Sequence, residues 1–139
     1  MNYQKLLDQV KFDEGLRLSV YKCTANKLTI GYGRNLEDNG ISEDEAEELL
    51  LNDLARIEAA LDREYLLVDT HNDARQSVLM NMAYQMGVRG LLGFKIMLGA
   101  YRGKDYSTAA DEMLNSRWAK QTPGRAKRLA EQMRSGEWQ

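Results

Sequence analysis

Apolar side chains at Tyr3, Leu6, Leu7 and Val10 recur at the spacing of one helix face and predict a first helix over residues 2–13. The period then shortens. Leu18 and Val20, then Leu28, Ile30 and Tyr32, alternate with Ser19, Tyr21, Thr29 and Gly31. That alternation predicts two short strands within residues 17–33, turning at Cys23-Thr24-Ala25-Asn26. Gly31 and Gly33 suit tight turns, and Asp38-Asn39-Gly40 reads as a loop. Ser42 to Glu45 have the spacing of a capping box, in which the hydroxyl accepts from an exposed N–H and Glu45 reaches back. Acids at 43, 44 and 45 suit the positive end of the helix dipole. Apolar positions 46, 49, 50, 54, 57, 60 and 61 carry that helix to about residue 62, long enough to join two lobes.

From residue 71 the pattern is helical with short breaks. Asp73 to Met86 sets Val78, Met82 and Met86 on one face, with Leu79 and Ala83 beside it, and this methionine stripe reads as core. Gly87 to Phe94 is a glycine-punctuated turn into a further short helix. Asp105 to Leu114 is another, with Ser107 as its expected cap. Thr122-Pro123 supplies an N-cap and a proline at the first helical position, and Gly136 ends the last helix. No repeat, low-complexity stretch or linker interrupts the chain.

At 139 residues the chain can bury roughly 68% of its unfolded surface, so its core needs no covalent staple. One cysteine excludes an internal disulfide, and the single His71 argues against a zinc site. The first 15 residues carry charges throughout and lack an apolar h-region, so neither a signal peptide nor a membrane span is expected. Charge is uneven. Residues 1–65 hold 8 basic and 14 acidic side chains, whereas residues 66–139 hold 11 and 7. Arg117, Lys120, Arg125, Lys127 and Arg128 form a run without an acid, either a solvated face or a patch for a polyanion such as a bacterial wall or nucleic acid.

Glu14, Cys23 and Thr29 carry the candidate chemistry. The acid ends the first helix, and the thiol and hydroxyl follow on the hairpin. A proton donor opposite two small polar groups able to hold a water suits hydrolysis of a glycosidic bond. The Gly31-Tyr32-Gly33 motif is not a nucleotide loop: Leu36 stands where a third glycine belongs, and no P-loop lysine follows.

EGLRLSVYK, Cys23, TIGYG with Thr29, DEAEELL, NMAYQMG, GF, SRW and QTPGRAKR follow one another across residues 13–128. In that order they resemble the phage-type lysozymes, closest to the T-even kind, with a shortened segment between hairpin and long helix. The resemblance implies an α+β, lysozyme-like fold over residues 1–139. A small β lobe at 15–41, a bridging helix at 42–62, and a helical lobe of 1–14 and 63–139 would enclose a glycan cleft. It implies a muramidase cutting the β-1,4 bond between N-acetylmuramic acid and N-acetylglucosamine, with no cofactor. Glu14 matches the general acid, Cys23 the second catalytic position (usually Asp), and Thr29 the hydroxyl that helps place water. Arg125 matches an arginine that pairs with the acid. Asn35, Tyr84 and Gln85 match sugar-contacting positions. Arg34 replaces a usual His, whose partner falls at Asp53, so an Arg34–Asp53 ion pair is expected. Met97 and Glu112 replace small polar residues on the sugar side. The implied biology is a monomeric phage endolysin. It would accumulate in the host cytoplasm, be released by a holin-type factor, and act on the periplasmic wall.

Three rival functions remain open on the sequence. A non-catalytic peptidoglycan-binding protein would keep the cleft without turnover. A Cys–His amidase or protease would need His71 as base, at a helix start where a capping or solvated imidazole is expected. A nucleic-acid module would use the basic run.

Overall fold

In the computed structural model, which describes all 139 residues, Asn2 caps the first helix by accepting from the Lys5 N–H at 3.0 Å. Helix α1 runs Tyr3–Glu14. Gly15 ends it at φ 72° and donates its own N–H to the Lys11 carbonyl. The chain divides into two compact units, Met1–Leu49 and Leu50–Gln139, and the boundary falls inside helix α3, Glu43–Arg63.

In the first unit, strands β1 (Arg17–Lys22), β2 (Leu28–Gly31) and β3 (Arg34–Asn35) form an antiparallel sheet in that order. Tyr21 stands opposite Thr29, and Thr29 opposite Asn35. A register irregularity between Arg17 and Tyr21 returns Arg17 to face Gly31. The two expected strands are present. The short strand β3 and a one-turn helix α2, Leu36–Asn39, were not among the expected elements, and α2 takes in Asp38 and Asn39 of the stretch that reads as a loop. Asn35 caps that turn by accepting from the Asp38 N–H at 3.1 Å, and Gly40 closes it at φ 58°. Thr29, 2% exposed, is the only buried side chain of this unit.

The capping box forms as read. The Ser42 hydroxyl accepts from the Glu45 N–H at 3.1 Å, and the Glu45 carboxylate accepts from the Ser42 N–H at 2.9 Å. Glu45 also takes both Arg34 amino groups, at 3.0 and 2.8 Å, tying β3 to the start of α3. These bonds, the Arg34 pair first, hold its carboxyl down at about 2. The expected Arg34–Asp53 pair is thereby corrected. A planar guanidinium prefers a carboxylate that meets it with both oxygens, and Asp53 pairs instead with Arg56, three residues along the same helix.

The second unit holds the rest of α3 and helices α4 (Asp73–Met86), α5 (Val88–Leu92), α6 (Lys95–Arg102), α7 (Tyr106–Leu114), α8 (Arg117–Gln121) and α9 (Pro123–Ser135). Its core gathers Leu61, Val78, Leu79, Met82, Tyr101 and Met113 among others. Each Leu, Val or Met among them contributes about 1.5–3 kcal/mol by leaving water. The α4 stripe is core as expected, with Met86 packed at its edge. The α7 cap is Asp105, not Ser107: its carboxylate accepts from the Thr108 N–H at 3.1 Å, while Ser107 receives Arg134. Thr122 precedes Pro123 as expected, but its hydroxyl donates back to the Trp118 carbonyl and caps nothing.

The ends of α4 and α9 are tied together. Arg75 donates to the Met133 and Arg134 carbonyls at 2.8 and 2.9 Å, satisfying acceptors that the last turn of α9 leaves free. Asn72 caps α4 through its oxygen and donates through its nitrogen to the Gly136 carbonyl. These bonds fix the helix that carries Tyr84 and Gln85 against the one that carries Arg125.

Candidate active site

Glu14 is the last residue of α1, and its exposed side chain lies over the turn between β2 and β3. A Cβ at Gly33 would stand 2.6 Å from Glu14 Oε2 and 3.0 Å from its Cδ. The ammonium of Lys11 sits 5.4 Å from the ring centre of Tyr32, the neighbouring turn residue. Two side chains one helical turn apart therefore engage two successive residues of the Tyr32-Gly33 turn.

Cys23 opens the hairpin turn. Its N–H donates to the Lys27 carbonyl at 3.0 Å, and its own carbonyl accepts from Asn26, which adopts φ 61°. The Lys27 carbonyl also accepts the Thr29 hydroxyl proton, at 2.8 Å. Cys23 is half-buried, and Thr29 is buried beside it. Hydrogen bonds from the backbone at Lys27, then at Ala25, hold the thiol below its usual range. Cys23 and Thr29 are thus brought together, and Glu14 lies against Gly33 in the turn that joins β2 to β3 of the same sheet. No hydrogen bond links Glu14 directly to either.

Asn35 faces inward to its own loop. Its oxygen caps α2 and its nitrogen donates to the Asp38 carboxylate at 2.9 Å.

In the second unit Tyr84 is 46% exposed and lines a cavity of about 530 Å³ with Asp53, Arg56, Ile57 and Val88. Gln85 follows it on α4, and its side-chain carbonyl accepts the Trp118 indole N–H at 2.8 Å. Its amide N–H groups make no bond within the chain and are free for an acceptor. Arg125 donates from Nε and Nη2 to Asn81 Oδ1, at 3.0 and 2.6 Å. Met97 is buried in the core, so it offers a ligand little surface; Glu112, half-buried, lines a separate cavity with it. Trp118 and Asn81 escaped the sequence reading as site residues, although both lie in quoted motifs, because their partners are distant in sequence.

His71 is neither a cap nor solvated. It is 4% exposed, stacked on Tyr101 at 3.9 Å, with Nδ1 2.6 Å from the Tyr106 hydroxyl. Burial, then the charges of Lys104 and Arg75, push its pKa down. An imidazole so enclosed is a packing group and makes a poor general base for Cys23. Arg117, Lys120, Lys127 and Arg128 stay exposed without ion pairs, which suits a solvated face and a polyanion patch equally.

An α+β fold with an acid at a helix end and a hydroxyl beside a thiol on a hairpin has the parts of a glycoside hydrolase. The family profile described as phage lysozyme matches residues 11–135. Probable T4-type lysozyme 1 of Dictyostelium discoideum is 30% identical over 158 residues, covering 93% of this chain and 93% of that protein. The endolysin of Acyrthosiphon pisum secondary endosymbiont phage 1 is 33% identical, with 84% of this chain and 79% of that protein covered. The pre-baseplate central spike protein Gp5 of Enterobacteria phage T4 is 32% identical over 89% of this chain, which spans 26% of Gp5. The chain belongs to the phage lysozyme family and is a lysozyme-type glycoside hydrolase with a lysozyme-like fold. No helix is long and apolar enough to cross a membrane.

Proposed function

We propose that the chain cleaves the β-1,4 bond between N-acetylmuramic acid and N-acetylglucosamine in peptidoglycan, with Glu14 as general acid and Cys23 and Thr29 holding the attacking water. The observation that carries this reading is the Thr29 hydroxyl donating to the Lys27 carbonyl. A hydroxyl has one proton. With that proton given to Lys27, the lone pairs of Thr29 are left to accept from a water beside the thiol.

In the proposed reaction Glu14 gives its proton to the bridging oxygen as the glycosidic bond breaks. The oxygen of the water bonds to the anomeric carbon from the opposite face, and its proton passes to the Cys23 thiolate. The lowered thiol pKa supports that role, since it raises the thiolate fraction near neutral pH. Proton exchange with solvent restores both groups. The product anomer is inverted. The free amide of Gln85 suits the carbonyl of an acetamido group, and the exposed Tyr84 ring suits a sugar face. Asn35 would have to exchange its Asp38 contact to bond a sugar, and Arg125 acts as a supporting residue.

The likeness to an endolysin supports a lytic role. The chain would act as a monomer that waits in the host cytoplasm, is released by a holin-type factor, and reaches the wall from the periplasm. NMR of the first-formed reducing end tests the mechanism. Inverted product is expected, whereas retained product would mean that the Cys23 sulfur attacks the anomeric carbon and forms a covalent intermediate.

The thiol at a position usually held by Asp also favours a second reading, a peptidoglycan-binding protein without turnover. Purified peptidoglycan separates the two: new reducing ends exclude pure binding, and retention without new ends establishes it.

A further inference from the structure

The Gly31-Tyr32-Gly33 motif, which binds no nucleotide, has a use in this fold. Gly33 lies at φ 77° in the turn between β2 and β3, with the Glu14 carboxyl group packed on the face where a side chain would begin. A Cβ there would meet Oε2 at 2.6 Å, Cδ at 3.0 Å and Cγ at 3.5 Å. The whole end of the acid, not one atom, rests on bare backbone. Gly31, two residues earlier, has nearly the same backbone at φ 71° but nothing within 4 Å of the corresponding point. Backbone geometry therefore asks for glycine at both positions, and space asks for it only at Gly33.

We infer that Gly33 is a positioning residue: its bare backbone is the seat that fixes where the Glu14 carboxyl presents its proton. Three features converge on the seat. Gly15 ends α1 immediately after Glu14, so the acid hangs from the last rigid residue of the helix. Lys11, one turn back, lies over Tyr32 and draws the same helix end to the same turn. Gly33 then leaves open the space that the Glu14 Oε2 and Cδ occupy, which a side chain at that position would take. A general acid works only within hydrogen-bond reach of the oxygen it protonates, and a displacement near 1 Å costs about 10²-fold in rate.

The inference rests on Glu14 being the general acid, and the test separates the two claims. Gly33→Ala and Gly31→Ala carry the same penalty for a side chain at positive φ. Only Gly33→Ala pushes on the acid. Gly33→Ala is expected to lower kcat on peptidoglycan by about 10²-fold, with KM little changed and the pH profile of kcat displaced. Gly31→Ala should stay within about threefold of wild type, since its strain falls on stability. Equal loss of kcat in both would overturn the seat.

A stability cycle with Glu14→Ala reads the contact without catalysis. Gly33→Ala should destabilise the wild type more than the Glu14→Ala background, and additive effects would refute the contact. If Gly33→Ala does not fold, Glu14→Asp supplies the second route. Its carboxyl falls short of the seat while Gly33 is untouched, so kcat should fall about 10²-fold in a folded protein, and near-wild-type kcat would count against the seat. Activity surviving in Glu14→Gln would remove the acid and the positioning role together. The cycle distinguishes that failure from one in which the acid is right and the seat wrong.

Discussion

The indole N–H of Trp118 donates to the side-chain carbonyl of Gln85 at 2.8 Å, from a ring that is itself 7% exposed and meets Phe94 edge-on. An amide side chain has two ends that exchange by a half-turn. With the oxygen end held by a donor inside the helical unit, the nitrogen end is turned outward, and Gln85 presents donors only.

Trp118→Phe should release that constraint. The account expects a loss of stability of about 1–3 kcal/mol, from the missing bond and the smaller ring, and a roughly tenfold rise in KM, worth about 1.4 kcal/mol. Steady-state kinetics on peptidoglycan beside urea unfolding check both. An unchanged KM in a folded variant would remove Gln85 from substrate binding.

The Cys23 thiol offers a readout that needs no substrate. Backbone hydrogen bonds at Lys27 and Ala25 favour the thiolate, so the rate of alkylation by iodoacetamide should reach half its maximum below the pH found for a free thiol, about 8.5. Unfolding in urea should move the midpoint back up. A folded-state midpoint at or above that of the free thiol would mean that the turn does not stabilise the anion, and Cys23 would lose its proposed role as proton acceptor.

Local patterns were the legible ones. Ser42 and Glu45 satisfy each other across three residues, and the Val78–Met82 stripe follows helix period, so both could be read from spacing. The cap of α7 was less readable because Asp105 and Ser107 both suit the role, and only the helix start decides between them. Arg34 pairs with Glu45 and not with Asp53 because Glu45, although committed to its cap, has oxygens enough to serve both. The burial of His71 depends on Tyr101 and Tyr106, thirty and thirty-five residues away, and no local pattern announces it. The contact of Glu14 with Gly33 is of the same kind. Both residues stand out in the sequence, one as acid and one as turn former, but only the fold puts one on the other.

His71 makes the helical unit sensitive to acid. Its folded-state pKa lies below the unfolded value of 6.5, so the unfolded chain takes up the proton first. Well above pH 6.5 neither state is protonated and its contribution to stability is full. As pH falls below that value the contribution declines, and the loss levels off once the folded-state pKa is passed. Arg75 and Lys104 add repulsion to the imidazolium. Urea midpoints between pH 7.5 and pH 5 should therefore fall more steeply in wild type than in His71→Leu. At pH 7.5 that variant should be less stable by about 1–3 kcal/mol, since it orphans the Tyr106 hydroxyl. Parallel pH curves would show that His71 titrates normally.

The role of residue 14 can be tested most directly by the release of reducing ends from purified peptidoglycan, wild type against Glu14→Gln, with matched urea midpoints. The amide keeps the shape that rests on Gly33 and removes the transferable proton. The account predicts a fall of about 10²–10⁴-fold. A folded Glu14→Gln protein that releases ends at the wild-type rate would contradict it.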